Sequence, residues 1–302
     1  MNPPKSRRIW RNLAKAVIGA VVIVAAVNLA LIYVFPPAKP VPTFPGARTP
    51  LFIAHQGGEQ LAPSNTMIAF DQAVAMGADV LETDVHLTRD GQIVMIHDDT
   101  VDRTTDGSGR VDSYDYADLA KLDAGYRFLD LSGNTTFRGK GATIPRLEDL
   151  FAKFPNKLFN VEIKAPYPGI EAKLWTLIQK YDLVKKVVVV SFDQLIVDRF
   201  NELSGGAVAL GAGEAEATRF ALTHKFWLRG FYRPQASVLQ LPTEAKGFDL
   251  TDRFLIDRAH GLGLQIHYWT VNDEPTMRRL IEQGADGIMT DRPDLLKKVL
   301  NR

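Results

Sequence analysis

In the stretch VLETDVHLTRDGQIVMIHDD, from Val80 to Asp99, acidic and imidazole residues recur at short, regular spacing. Residues two apart on an extended chain share a face, so a strand here sets Glu82 and Asp84 side by side. Asp90-Gly91 is the dipeptide that a two-residue type I′ hairpin favours, because both positions need positive φ. With Arg89 and Gln92 closing that turn, Asp84 lies opposite His97, with Cβ atoms roughly 5 Å apart. One hairpin then brings two acidic ligands and an imidazole into one small volume. The bland alternative is a half-exposed strand whose alternating acids face water, with His97 a hydrogen-bonded structural histidine.

Other chemistry-bearing residues fall at the ends of apolar runs. LFIAH (Leu51 to His55) reads as a strand with His55 at its end, and Gly57-Gly58 lets the backbone turn sharply after it. LFNVEIK (Leu158 to Lys164) puts Glu162 and Lys164 on one face. Three carboxylates from two strands, Glu82, Asp84 and Glu162, suit a hard divalent cation, Mg²⁺ or Ca²⁺; zinc would normally take histidine or thiolate. His55 and His97 titrate near neutrality and can share acid and base duties. Lys164 offers a point charge for phosphate, or is a solvated strand end. Asp291 reads as a cap or turn residue rather than a ligand. The set suits hydrolysis of a phosphodiester.

The elements that must position these residues alternate. Besides the strands above, VVVVSF (Val187 to Phe192), AVALGA (Ala207 to Ala212), SVLQLP (Ser237 to Pro242), LQIHYWTVN (Leu264 to Asn272) and DGIMTDRP (Asp286 to Pro293) are strand-like. Helical segments lie between them, one capped by Ser64 or Asn65 and running to about Met76, another started by Pro145. With Ile93 to Ile96 as only the return arm of the hairpin, eight strands remain, the count of a (β/α)8 TIM barrel, whose C-terminal face carries the active site. The rhythm stops between about 98 and 143, in a segment rich in Asp, Gly, Thr and Ser; it reads as a small insertion capping the barrel mouth.

Ahead of the barrel, Ala16 to Phe35 runs apolar for the roughly 20 residues that cross a hydrocarbon core, broken only by Asn28. It reads as one transmembrane helix; a cleaved signal peptide is the competing reading, with a shorter apolar stretch and a small-residue cleavage site. Lys5, Arg7, Arg8, Arg11 and Lys15 precede it and only Lys39 and Arg48 follow closely, so the N-terminus is expected in the cytoplasm and the catalytic part outside, periplasmic if the cell is Gram-negative. The expected division is a basic cytoplasmic end (1–15), the membrane helix (16–35), a stiff Pro-rich tether (36–50) that joins no helix or central strand, and the barrel (51–302). The 302 residues carry a formal charge of +1, which gives no whole-protein argument for nucleic acid as a partner. The chain contains no cysteine, which excludes disulfides, thiolate zinc sites and a cysteine nucleophile, and leaves the compartment open.

AHQGG with APSNT, LETDV, LTRDGQIVMIHDDTVDRTTDGSGRV, IPRLEDLF, NVEIK, WTVN and GIMTDRP, in this order from Leu51 to the C-terminus, together resemble the glycerophosphodiester phosphodiesterase family. The resemblance implies a (β/α)8 barrel with a small insertion that hydrolyses glycerophosphodiesters to glycerol 3-phosphate and an alcohol. It implies Glu82, Asp84 and Glu162 as ligands of the divalent metal, His55 and His97 as the acid/base pair, Lys164 on the phosphate and Trp269 in the pocket wall. His86 falls where the family pattern is not fixed and is kept as a surface residue. Two positions depart from the pattern. Gln56 stands where an arginine usually touches the phosphate; its amide can still donate a hydrogen bond to the substrate, and losing the charge costs about 1 to 3 kcal/mol of phosphate binding. Ser64 stands where glutamate is usual. With an anchor beside lipid, cleavage of lysophospholipids in the manner of a lysophospholipase D is the alternative to deacylated substrates. Two further classes compete: a glycosidase, for which Glu82 and Glu162 would need about 5 to 9 Å between carboxyl groups, and a non-catalytic binding barrel.

Overall fold

A run such as Val187–Val190 is buried at all four positions, so it cannot face water on either side. Such strands need helices outside and other strands' side chains inside, which is how a closed parallel barrel is built. The computed structural model describes residues 5–38, 42, 44, 45 and 50–302, with side chains from residue 9 onward. In chain order come α1 (Lys5–Tyr33), β1 (Leu51–Ala54), α2 (Met67–Met76), β2 (Val80–Leu87), β3 (Ile93–Met95), α3 (Tyr116–Leu119), α4 (Leu147–Lys153) and β4 (Leu158–Ile163). Then follow α5 (Ile170–Lys180), β5 (Val187–Val190), α6 (Gln194–Ser204), β6 (Ala209–Leu210), α7 (Glu214–Lys225), β7 (Val238–Leu241), β8 (Glu244–Ala245) and β9 (Phe248–Asp249). The chain ends with α8 (Arg253–Gly261), β10 (Gln265–Tyr268), α9 (Glu274–Gln283), β11 (Gly287–Thr290) and α10 (Pro293–Val299).

Eight parallel strands run in the order β6, β5, β4, β2, β1, β11, β10, β7. The ring closes through a parallel bridge between Gly211 and Val238, supported by Ser237 N–H to Leu210 O and Ala212 N–H to Val238 O, both at 2.9 Å. As the eight-strand count assumes, β3 is the return arm of the hairpin, paired antiparallel with β2 and bridged at Val94 to Arg146. Alternate strand residues divide the core. Phe52, Leu81, Phe159 and Val189 face the helices, whereas Leu51, Ile53, Val80 and Val188 fill the barrel interior.

Several local expectations are corrected. The β2–β3 register pairs Val85 with Met95 and Leu87 with Ile93. Asp84 therefore lies opposite Ile96, not His97, and the Ile96 amide donates to the Asp84 carbonyl at 3.1 Å. The turn uses three residues, closed by Thr88 N–H to Gln92 O, and only Gly91 has positive φ, so Asp90 does not supply the second left-handed position of a type I′ turn. His97 follows the end of β3, and its place is set by other contacts. The N-cap before α4 is Arg146, one residue past Pro145, whose carbonyl accepts from Met95 N–H instead. The segment 98–143 forms its own apolar cluster around Val101, Val111, Leu119 and Ala142, packed on Val94, Ile96 and Ile144. It contributes no residue to the cavity wall, but reaches the edge of the site through Asp98, which holds His97, and Arg103, which holds Asp98.

Of the proline-rich stretch, the described part is pinned rather than free. Phe44 is buried, Gln265 donates to its carbonyl at 2.8 Å, and Ser237 Oγ donates to the Pro42 carbonyl. Phe44 thus closes the N-terminal end of the barrel, edge-on to His267 with ring centroids 6.3 Å apart. Lys39, Pro40 and Arg48, and the side chains of Lys5, Arg7 and Arg8, lie outside the described residues. Residues Ile9–Tyr33 of α1 are long and apolar enough to cross a membrane. The last turns of α1 meet the barrel: the Asn28 amide donates to the Trp227 carbonyl at 3.0 Å and its oxygen accepts from Gly230 N–H at 2.8 Å.

Candidate active site

The C-terminal end of β1 runs into a tight turn, His55–Gly57, in which Gln56 and Gly57 have positive φ, as does Gly58 just after it. A Cβ at Gly57 would sit 2.7 Å from that of Ala69, so only glycine lets the turn fold this closely onto α2. The turn aims the Gln56 backbone N–H at Glu82 Oε2, 2.7 Å away. Sequence reasoning assigned the Gln56 side chain to substrate. It is instead buried, away from the cavity wall, with Oε1 lacking a partner among the described residues.

His55 lines the cavity, and its Nδ1 lies 2.5 Å from Asp291 Oδ1. Asn272 holds that carboxylate in turn, donating to Asp291 Oδ2 at 2.7 Å and accepting from Asp291 N–H at 2.9 Å. The expectation of Asp291 as a mere cap or turn residue is therefore corrected: it fixes the ring of His55 and leaves Nε2 as the other nitrogen. Burial opposes the charged imidazole, but the charges of Glu82, Asp291 and Asp84, with the Asp291 hydrogen bond, outweigh it and raise His55 to about 9.

Parallel pairing sets Glu82 beside Asn160 and Asp84 beside Glu162. Ligand oxygens of Glu82, Asp84 and Glu162 lie within 4.8 Å of one another. Oxygens on opposite sides of a bound Mg²⁺ or Ca²⁺ are about 4 to 5 Å apart, so one such ion reaches all three. Burial and the Asp84 charge push the carboxyls of Glu82 and Glu162 up. Lys164 Nζ lies 3.0 Å from Glu162 and 3.4 Å from Asp84, yet makes no ion pair with Glu82. One ammonium and one imidazolium leave this buried negative charge incompletely matched, so the donor set fits a hard divalent cation. Asn65, with φ 57°, donates to Asp84 Oδ2 at 3.0 Å and accepts from Thr83 Oγ1 and the Asp84 amide. Sequence reasoning offered Asn65 only as a helix cap; the cap is Thr66.

His97 reaches the site through polar contacts. Its Nδ1 is 2.8 Å from Asp98, itself held by Arg103, and its Nε2 is 3.3 Å from Lys164 Nζ. The His97 carbonyl accepts from His86 Nε2–H at 3.1 Å, and His86 Nδ1 accepts from the Tyr167 hydroxyl at 2.8 Å. His86 is thus not a surface residue. It is buried, burial lowers its pKa, and the neutral ring supplies the donor and the acceptor these contacts need. Nothing in the alternation of β2 separates this histidine from a solvent-facing one, because its partners lie 11 and 81 residues away.

His55, His97, Glu82, Asp84, Glu162 and Lys164 share one cavity of about 390 Å³ with Trp269. Beyond this charged floor the wall turns apolar: Trp269 meets Phe192 edge-on at 5.7 Å, and Leu222, Leu241, Phe248 and Leu250 complete it. Glu59 stands near His55 and Asp291, and burial and the Asp291 charge push its carboxyl up. No spacing pattern marked Glu59.

A closed (β/α)8 barrel with acids, imidazoles and an ammonium gathered at its C-terminal mouth is the scaffold of an enzyme. The chain belongs to the glycerophosphoryl diester phosphodiesterase family, which it matches over residues 55–295. A glycerophosphodiester phosphodiesterase of Caldanaerobacter subterraneus is 33% identical over 83% of this chain and 98% of the relative. A human protein named lysophospholipase D is 27% identical over 82% of this chain and 85% of its own length. Among solved structures, an Oleispira antarctica phosphodiesterase in complex with the product sn-glycerol-3-phosphate matches with a TM-score of 0.64 at 25% identity, covering 84% of this chain and 98% of that one.

Proposed function

We propose that this protein is a metal-dependent phosphodiesterase that hydrolyses glycerophosphodiesters to glycerol 3-phosphate and an alcohol. The three carboxylates within 4.8 Å of one another, flanked by two imidazoles and an ammonium, carry this proposal. Glu82, Asp84 and Glu162 hold a divalent cation, Mg²⁺ or Ca²⁺, which when bound draws charge from the phosphate oxygens. Gln56 N–H and Asn65 orient two of these carboxylates. Lys164 sets its positive charge on the phosphate. His55, held by Asp291, and His97, held by Asp98, carry the two proton transfers between them. One takes a proton from the nucleophile, water or the substrate's neighbouring glycerol hydroxyl, and the other gives a proton to the alcohol oxygen as its bond to phosphorus breaks. Where the glycerol hydroxyl attacks, water then opens the cyclic phosphate to glycerol 3-phosphate with the proton transfers reversed. Trp269 and Phe192 form the aromatic wall beside the reacting end.

The apolar wall favours a second substrate class, lysophospholipids, whose acyl chain would lie along Leu222, Leu241 and Phe248. We read residues 1–15 as the cytoplasmic end, 16–35 as a single-pass membrane anchor, 36–50 as the connection and 51–302 as the catalytic barrel outside, with 98–143 as its insertion. The test is release of choline from glycerophosphocholine and from lysophosphatidylcholine by the detergent-solubilised full chain, with Mg²⁺, with Ca²⁺ and with chelator. Chelator-sensitive release from the first substrate is expected. Release only from the second makes the enzyme a lysophospholipase D, and release from neither with any metal overturns the catalytic reading in favour of a binding protein.

A further inference from the structure

We propose that the C-terminal end of α7 and the turn Arg229–Phe231 rest in the bilayer surface beside α1, so that the apolar mouth of the cavity opens onto lipid. This rests on reading α1 as a membrane span. The span and the turn are joined rigidly: Asn28 bonds to Trp227 and Gly230, and Arg233 Nη2 donates to the Phe35 carbonyl at 2.9 Å. A Cβ on Gly230 would collide with the Asn28 carbonyl, so the backbone of the turn lies directly against the helix.

The depth follows from helix length. A hydrocarbon core of about 30 Å takes about 20 residues at 1.5 Å each. Counted from Ala16 the core ends at Phe35 and Asn28 lies about 10 Å below its outer edge; counted from Ile9 the core ends at Asn28 itself. On either count the turn held by Asn28 is drawn to the edge of the hydrocarbon or below it. What it exposes there fits a membrane interface: Phe226, Trp227 and Phe231 are 61%, 74% and 42% exposed, with Lys225, Arg229 and Arg233 between and beside them. Aromatic rings at headgroup level, flanked by basic side chains, are the usual occupants of that zone.

The same surface continues into the cavity. Leu222 lies one helical turn before Phe226, is 44% exposed, and also lines the cavity, as does Phe248 at 40%. Helix α7 thus carries one apolar face from the bilayer surface to the catalytic floor. A lipid-borne phosphodiester could enter along it without its chain crossing water.

The absence of cysteine permits a direct test in the full chain reconstituted into vesicles of phosphatidylcholine and phosphatidylglycerol. Nitroxides are placed singly through Phe226→Cys, Trp227→Cys and Phe231→Cys, with Val22→Cys in α1 and Lys121→Cys on the exposed surface after β3 as references. Their collision rates with oxygen and with a water-soluble nickel chelate are then compared. The three labels are expected to fall between the references, more open to oxygen and several-fold less accessible to nickel than Lys121→Cys, with Val22→Cys shielded further. Labels at 226 and 227 as open to nickel as Lys121→Cys, with Val22→Cys still shielded, overturn the surface contact and leave the anchor standing. Nickel access at Val22→Cys as well overturns the anchor, and the contact with it. Labels shielded from both reagents overturn lipid as the occupant and identify a protein contact instead.

Discussion

The two ends of the barrel each hold a histidine, and the two are driven in opposite directions. At the mouth, His55 lies among Glu82, Asp84 and Asp291 and is raised to about 9. At the base, His267 lies against Phe44 and Gly287, has no partner for either ring nitrogen among the described residues, and is lowered to about 3 by burial alone. Both sit in low dielectric; the difference is whether opposite charge was buried with them. The mouth concentrates unbalanced charge that favours neither packing nor burial, and the proposed chemistry lies here. The base gives up polarity for packing, which suits an end whose work is stability.

The sharpest way to break this contrast is to neutralise the mouth. Glu82→Gln or Glu162→Gln removes a proposed metal ligand, and activity should fall by about three orders of magnitude or more, corresponding to several kcal/mol of lost charge stabilisation. Circular dichroism should show an intact fold. Turnover within tenfold of the parent would sink the ligand assignment.

A smaller effect is expected from Asp291→Asn, which keeps the shape around His55 but removes the charge that helps raise it. Activity should drop about 10- to 100-fold, by analogy with losing the carboxylate behind a metal-bound histidine. The limb of the pH–rate profile set by His55 should move to lower pH, because the imidazolium loses a stabilising neighbour. A fall in rate with an unmoved profile would mean that Asp291 supports the fold and does not tune the ring.

The third effect belongs to the base; it leaves activity untouched and appears in stability. Between about pH 6.5 and 3 the unfolded chain takes up a proton at His267 that the folded chain refuses. This contribution is fully present above pH 6.5 and is lost as pH falls, at up to about 1.4 kcal/mol per pH unit. His267→Leu should flatten the acid side of a melting-temperature profile by that one proton and leave activity at pH 7 unchanged. An unaltered acid slope would show that His267 finds a partner in solution.

What the sequence determined alone was whatever depends on neighbours along the chain. Period-two alternation set Glu82 with Asp84, and Glu162 with Lys164, on shared faces, and eight apolar runs separated by helical segments specified the barrel. The apolar length of α1 was equally plain. Local pattern failed where partners are distant or the backbone is unusual. One extra residue in the Asp90-Gly91 turn shifted the hairpin register, since Asp90 kept negative φ and a three-residue turn resulted. Asp291 looked like a turn residue because His55 is 236 positions away, and His86 looked exposed because Tyr167 and the His97 carbonyl reach it only once the barrel is folded. Gln56 looked like a substrate contact because its strained turn, which buries the side chain and spends its amide on Glu82, is not written in residue type. Ring closure decided the long-range contacts: it brings the ends of β1, β2, β4 and β11 to one mouth and Phe44 to the other end, and so fixes which group meets a charge and which meets none.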